Sequence, residues 1–246
     1  MVAENMVAEK MISDFVSQLR NAAGDNLLSV VLYGSAAAGD FVPESSDTNI
    51  LCVMRETTFA ALGLLAPAVT AWSGARNRPP LILGIEELRR SADVFSIELL
   101  DMRSSYRVLF GEDVLASLVI PTRFHRVQLE YELREKAILL RQGLLAAAGD
   151  ESRMWELMLR SLPAFATLFR HALLELGEPA AASKREAVQK LAARVAFDPA
   201  AFMQLIDIRE RKTDAKSVNV SDLFARYLKE IEQVTSAVDR MLDSAA

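Results

Sequence analysis

The sequence predicts an α+β chain, with a mixed sheet flanked by helices in its first half and an all-α helical bundle in its second. Three observations carry that expectation. Two continuous apolar runs, Val30–Tyr33 and Ile50–Val53, are short and bounded by turn formers, as strands covered on both faces are. After Pro121 the strand signals cease and helical periodicity takes over. A length of 246 residues exceeds the usual single-domain size and gives two domains, expected at 1–120 and 121–246.

Composition narrows the class of partner. With 51% hydrophobic and 25% charged residues the chain has ample material for cores. A net charge of −5 gives no electrostatic footprint for a polynucleotide and counts against nucleic acid. The single cysteine, Cys52, permits no intrachain disulfide, so a cytoplasmic location is expected. It lies inside an apolar run and reads as core filler. Two histidines and one cysteine cannot furnish a structural zinc site. Residues 57–75 are uncharged but broken by Gly63 and Pro67, so no membrane span is expected.

Met6, Met11, Ile12, Phe15, Val16 and Leu19 recur at helical spacing, predicting an amphipathic helix over 4–22 that ends at Gly24-Asp25. The two strands follow. A helix from Thr57 to about Ala71 is expected to bend or stop at Pro67. Leu81–Ile85 reads as a third strand, followed by a helical turn at Glu86–Ser91. Val94–Met102 reads as a further strand interrupted by Glu98, and Arg103–Phe110 as a segment ending in a helix end and turn at Gly111-Glu112-Asp113. In the second half, 124–149 shows a long helical pattern with apolar positions at Val127, Tyr131, Ile138 and Leu145. Helices follow at 151–176, from Ser183 to about Phe197, from Asp198-Pro199 to about Lys212, and from Asn219 or Ser221 to about Leu242. Ser183–Glu186 has the pattern of a capping box, and Asp198-Pro199 that of a cap with a first-turn proline. Bundle core accounts for Tyr131, Trp155 and Tyr227, and capped or surface positions for His125 and His171.

The chemistry concentrates between residues 29 and 54. Val30–Tyr33 breaks at Gly34-Ser35 into Ala36-Ala37-Ala38, and Asp47 and Asn49 flank Thr48 where the second strand begins. A Gly-Ser turn entering a helix offers backbone N–H groups and a hydroxyl to phosphate. Strand alternation puts residues 47 and 49 on one side, where two oxygen ligands can hold Mg²⁺. This pattern resembles the nucleotidyltransferase superfamily, whose signature is Gly-Ser, a loop, then Asp-x-Asp or Asp-x-Glu on the next strand. The chain supplies Gly34, Ser35 and Asp47 and departs at Asn49. Arg107–Asp113 also resembles the end of the catalytic domain in small-molecule nucleotidyltransferases, which typically carry a helical bundle behind it.

The resemblance implies Mg²⁺-dependent transfer of a nucleoside monophosphate from a nucleoside triphosphate, with ATP the expected donor, to a hydroxyl of an unidentified small molecule. Gly34 and Ser35 would hold phosphate, and Asp47, Asn49 and Glu98 the metal. Asp47 and Glu98 would be the catalytic carboxylates, with Asp101 in reserve on the opposite strand face. A neutral amide bridges two cations poorly, so the metal site is expected to be weakened. The alternative is a catalytically degenerate nucleotide-binding regulator or sensor. A third branch uses a protein or RNA end as acceptor, and the acidity counts against RNA. Relatives often complete their cleft with a second subunit, which leaves room for a homodimer.

Overall fold

In a computed structural model the chain divides into two compact units, Met1–Thr122 and Arg123–Ala246. Residues 2–38, 48–75, 77–179, 181, 183–215 and 218–243 are described. Among them no helix is long and apolar enough to cross a membrane.

The first unit opens with helix α1 (Val2–Ala23), a 3-10 turn at Gly24–Asn26 and strand β1 (Leu27–Tyr33). Then come α2 (Ser35–Ala38), β2 (Asn49–Met54), α3 (Phe59–Gly74), β3 (Leu81–Gly84), α4 (Ile85–Arg90), α5 (Ser96–Ser104) and β4 (Tyr106–Gly111). The sheet order is β3-β2-β1-β4. β1 pairs antiparallel with β2 and β4, and β2 pairs parallel with β3, so the sheet is mixed.

Both faces of this sheet are covered, which is why the strands read as unbroken apolar runs rather than alternating ones. Val30, Leu32, Ile50, Cys52 and Met54 pack with Phe15 and Leu19 of α1 and Leu65 and Trp72 of α3. Phe15 stacks on Trp72 with ring centroids 4.3 Å apart. Val31, Leu51 and Val53 pack on the other side against Leu88 of α4 and Leu99 and Met102 of α5. Cys52 is fully buried, and burial pushes its thiol up to about 12, as suits inert core. α3 runs through Pro67 instead of stopping there. The proline removes a single backbone donor, and burial of Leu65, Ala68 and Trp72 holds the helix on the sheet.

Two expectations fail here, and they fail together. Val94–Met102 is no strand: Ser96–Ser104 forms α5, in which Glu98, Leu99, Leu100, Met102 and Arg103 are good helix formers. Leu99 and Met102, three residues apart, turn to the sheet. The edge of the sheet is taken instead by Tyr106–Gly111, expected to close a helix; a register shift between the partners of Val31 and Val30 puts Tyr106 with the core under α5, and Leu109 and Phe110 with the core under α1. Gly111 ends it at φ +77°, where a Cβ would lie 1.9 Å from the Leu28 carbonyl oxygen.

The second unit is built from α6 (His125–Ala147), α7 (Glu151–Glu175), α8 (Lys184–Val195), α9 (Ala200–Arg209) and α10 (Val220–Asp243). Side-chain caps mark the starts: Asp150 accepts from the Arg153 amide, Ser183 from Glu186, Asp198 from Ala200 and Asn219 from Asp222, at 2.9–3.1 Å. Phe165, Phe169, Phe202 and Tyr227 are fully buried, and the Tyr227 ring lies 4.7 Å from that of Phe202. Glu230 of α10, 3% exposed, caps α9 from a distance by accepting from the amides of Ala201 (2.8 Å) and Phe202 (3.2 Å).

The aromatic and histidine expectations are corrected in part. Tyr227 is core, but Tyr131 is exposed, because α6 turns Leu129, Leu133, Ala137 and Leu140 inward. His125 and His171 are buried, not surface or capping residues. His125 Nε2 lies 2.8 Å from His171 Nδ1, and its Nδ1 meets the Glu175 carboxylate. Burial, then the neighbouring His125 and Arg170, pushes His171 down to about 3, so it stays neutral at ordinary pH.

Gly111→Ala is expected to lower stability by about 2–4 kcal/mol in urea denaturation, since strain and a backbone clash coincide. An unchanged midpoint would contradict the β4 register. Burial, with Asp198 adding to it against the two amide bonds and Arg226, holds Glu230 at about 7, above its ordinary 4.5. A folded-state value raised in this way gives stability that is full below 4.5 and lost as pH rises through 7. Glu230→Gln should therefore lose less stability than the parent over that window. Parallel profiles would show that Glu230 titrates normally.

Candidate functional site

The site residues are brought to one end of the sheet by the antiparallel turn-back of β1 into β2. Tyr33, last in β1, pairs with Asn49, first in β2. Gly34 follows at φ +77°, outside the range that L side chains favour. A Cβ at this position would lie 3.3 Å from Asn49 Nδ2, so the glycine makes room for the asparagine amide. The Gly34 amide donates to the Ser105 carbonyl (3.0 Å), and the Gly34 carbonyl accepts from the Ala37 amide (2.9 Å) and the Ser105 hydroxyl (3.4 Å). The turn is thus pinned both to the short helix α2 and to the joint between α5 and β4. Ser35 is the first residue of α2.

Asn49 is half-buried and lies on the sheet face of Leu51 and Val53, the side covered by α5. Thr48, beside it, is buried. Asp47 falls outside the described residues, as does Asp40.

Glu98 stands on the first turn of α5, not on a strand beside β2, so strand alternation does not bring it beside Asn49. The strand parallel to β2 is β3, and its residues Leu81–Gly84 include no acid. Asp101 is better placed. The Tyr33 hydroxyl is raised above its ordinary range by burial, lowered by the charge of Arg78 and raised by that of Asp101, so both charges lie near this tyrosine. Ser105, one turn beyond Asp101, touches Gly34. Glu98 sits about 4.5 Å further back along the helix axis.

The corner joins Tyr33, Gly34, Asn49 and Ser105, with Arg78 and Asp101 acting on the Tyr33 hydroxyl by charge. Of these residues, Gly34 and Asn49 were expected from the sequence, and Asp101 stood in reserve. Tyr33, Arg78 and Ser105 were missed. Tyr33 had a signal, its place directly before the glycine turn; Arg78 and Ser105 had none. Among the described residues no three His, Cys, Asp or Glu side chains converge to hold a metal ion, a set that does not include Asp47.

A β-sheet of this order, with a glycine turn after its central strand and a helical unit behind it, is the nucleotidyltransferase-like fold. Among solved structures the chain is similar to the spectinomycin adenyltransferase AAD(9) from Enterococcus faecialis, solved with ATP and spectinomycin. That match covers 94% of this chain and 99% of that one, at a TM-score of 0.60 and 13% identity. A toxin-antitoxin solved with AMP-PNP aligns over 41% of this chain and 74% of its own, at 18% identity and a TM-score of 0.29. No family model matches the chain, and no curated protein matches it in sequence. The likeness to AAD(9) is one of fold.

The electrostatics of the corner are directly measurable. Asp101→Asn is expected to lower the titration midpoint of Tyr33 and Arg78→Ala to raise it, followed by ultraviolet difference titration against a Tyr33→Phe background. No change in either variant would separate these side chains from the Gly34 turn.

Proposed function

We propose that this corner binds the triphosphate of ATP with Mg²⁺ and that the chain transfers the adenylyl group to a hydroxyl of a small molecule. The observation that carries the reading is the Asn49 amide set against the open face of the Gly34 turn, on a fold shared with an adenyltransferase solved with its nucleotide. The donor set is compatible with the ion: Asn49 and Asp47 would supply oxygen ligands, and hard cations of this size take oxygens. Magnesium, when bound, neutralises charge on the triphosphate.

The remaining work falls to the chain. Gly34 lets the backbone approach the phosphates and Ser35 offers a hydroxyl and an amide. Asp101 is the acid best placed to take the acceptor proton, with Glu98 the second choice. A bond forms between the acceptor oxygen and the α-phosphorus, the bond from that phosphorus to the bridging oxygen breaks, and pyrophosphate leaves. Arg78, near the same tyrosine, offers positive charge to the departing group.

An amide at position 49 and a neutral β3 leave the corner with less negative charge than three carboxylates would. Slow turnover is the expected consequence. A site that binds ATP and releases no pyrophosphate with any acceptor would be a nucleotide sensor, the second reading that these same two features favour.

Calorimetric titration with Mg²⁺ and each nucleoside triphosphate tests the proposal, with ATP expected to bind. No heat with any nucleotide at millimolar concentration would remove both readings. Asn49→Asp is expected to tighten Mg²⁺-dependent binding and to raise pyrophosphate release, on the order of 10²-fold. A loss of binding in that variant would mean that the asparagine itself is adapted to the ligand.

A further inference from the structure

Helix α6 is apolar on two sides. Its inner side, Leu129, Leu133, Ala137 and Leu140, is 5% exposed or less and supplies the bundle core. Its outer side carries a second stripe with no part in that core: Phe124 (48% exposed), Val127 (58%), Tyr131 (62%), Ile138 (46%) and Leu145 (80%). Phe124, Tyr131, Ile138 and Leu145 fall seven residues apart, the repeat that keeps one seam facing a partner helix. Arg134 and Arg141 stand on the same seam. Arg134 is held by Glu130 (2.6 Å) and Asp239 (3.0 Å), and Arg141 lies 3.8 Å from Glu232. Each guanidinium is thereby kept on the stripe.

Charge and shape choose the occupant. A parallel copy would set Arg134 against Arg134 and Arg141 against Arg141, which repels. An antiparallel copy related by a two-fold axis behaves differently. With Val127 against the partner's Ile138, Tyr131 falls against the partner's Arg134 and Phe124 against the partner's Arg141. Aliphatic then meets aliphatic, the Tyr131 ring meets a guanidinium, which its face attracts, and Phe124, which carries Arg123 of its own chain 4.3 Å from its ring centroid, offers the other face. The pattern complements itself, as an isologous interface must. We propose that the outer face of α6 is a dimerisation surface, on which a second copy of this chain packs antiparallel. The inference is independent of the nucleotide reading.

Sedimentation equilibrium over a micromolar to submillimolar range tests it. The mass is expected to rise from 27.1 kDa toward twice that value. Ile138→Glu should weaken association at least tenfold and, at dilutions where both chains are monomeric, leave the thermal midpoint unchanged, because the residue is on the surface. The doubly substituted Val127→Cys/Ile138→Cys chain should be trapped as a dimer by a short thiol cross-linker, with Ile138→Cys alone trapped poorly. Cys52, the one native cysteine, is fully buried and gives little background. A single-chain mass at every concentration would overturn the proposal. So would an Ile138→Glu dimer of parental strength, or efficient trapping of Ile138→Cys by itself, which marks parallel packing.

Discussion

The double pairing of β1 is the constraint on which the first unit depends. This strand is hydrogen-bonded on both edges, to β2 and β4, and buried on both faces. Nothing in it can move without breaking a ladder or opening one of two cores. Its last residue, Tyr33, and the turn at Gly34 inherit that rigidity, and the hydrogen bonds exchanged between Gly34 and Ser105 anchor the turn from the far side. A site held on strand ends is positioned by the sheet, which is how a scaffold can aim small polar groups without a large pocket to hold them.

What such a corner can do follows from its charge. Triphosphate chemistry is almost wholly positioning and charge compensation, with little for side chains to do covalently. A glycine turn beside an amide, with an arginine and an aspartate acting on one half-buried tyrosine, is a modest inventory for that purpose. On the proposed reading, such an inventory favours holding a nucleotide over driving fast turnover.

Much of this was legible in the residues, for physical reasons. Val30–Tyr33 and Ile50–Val53 stood out because burial on both faces demands unbroken apolar runs. The caps at Ser183, Asp198 and Asn219 were visible because they satisfy backbone donors locally. The exchange of helix and strand between 94 and 111 was hidden because both runs are short and apolar, and periodicity alone does not separate them. What decides is tertiary: β1 has one edge left for an antiparallel partner, and Tyr106–Gly111 takes it. The same swap moved Glu98 off a strand and onto the helix that also carries Asp101. The two apolar stripes of α6 posed a related problem. Val127, Tyr131, Ile138 and Leu145 have the period of a core face, yet the neighbouring stripe was the one chosen by packing. His125 and His171 were expected at capped or surface positions, and their burial was hidden since their partners, each other and Glu175, are far apart in sequence.

The central claim is that Gly34, Ser35 and Asn49 meet a magnesium-bearing triphosphate. Amide NMR of isotopically labelled protein titrated with ATP and Mg²⁺ addresses it directly. The backbone signals of Gly34 and Ser35 and the side-chain amide of Asn49 are expected to shift together, saturably, and to shift less with AMP. Unmoved signals at these three residues, with shifts confined to other parts of the chain, would contradict it.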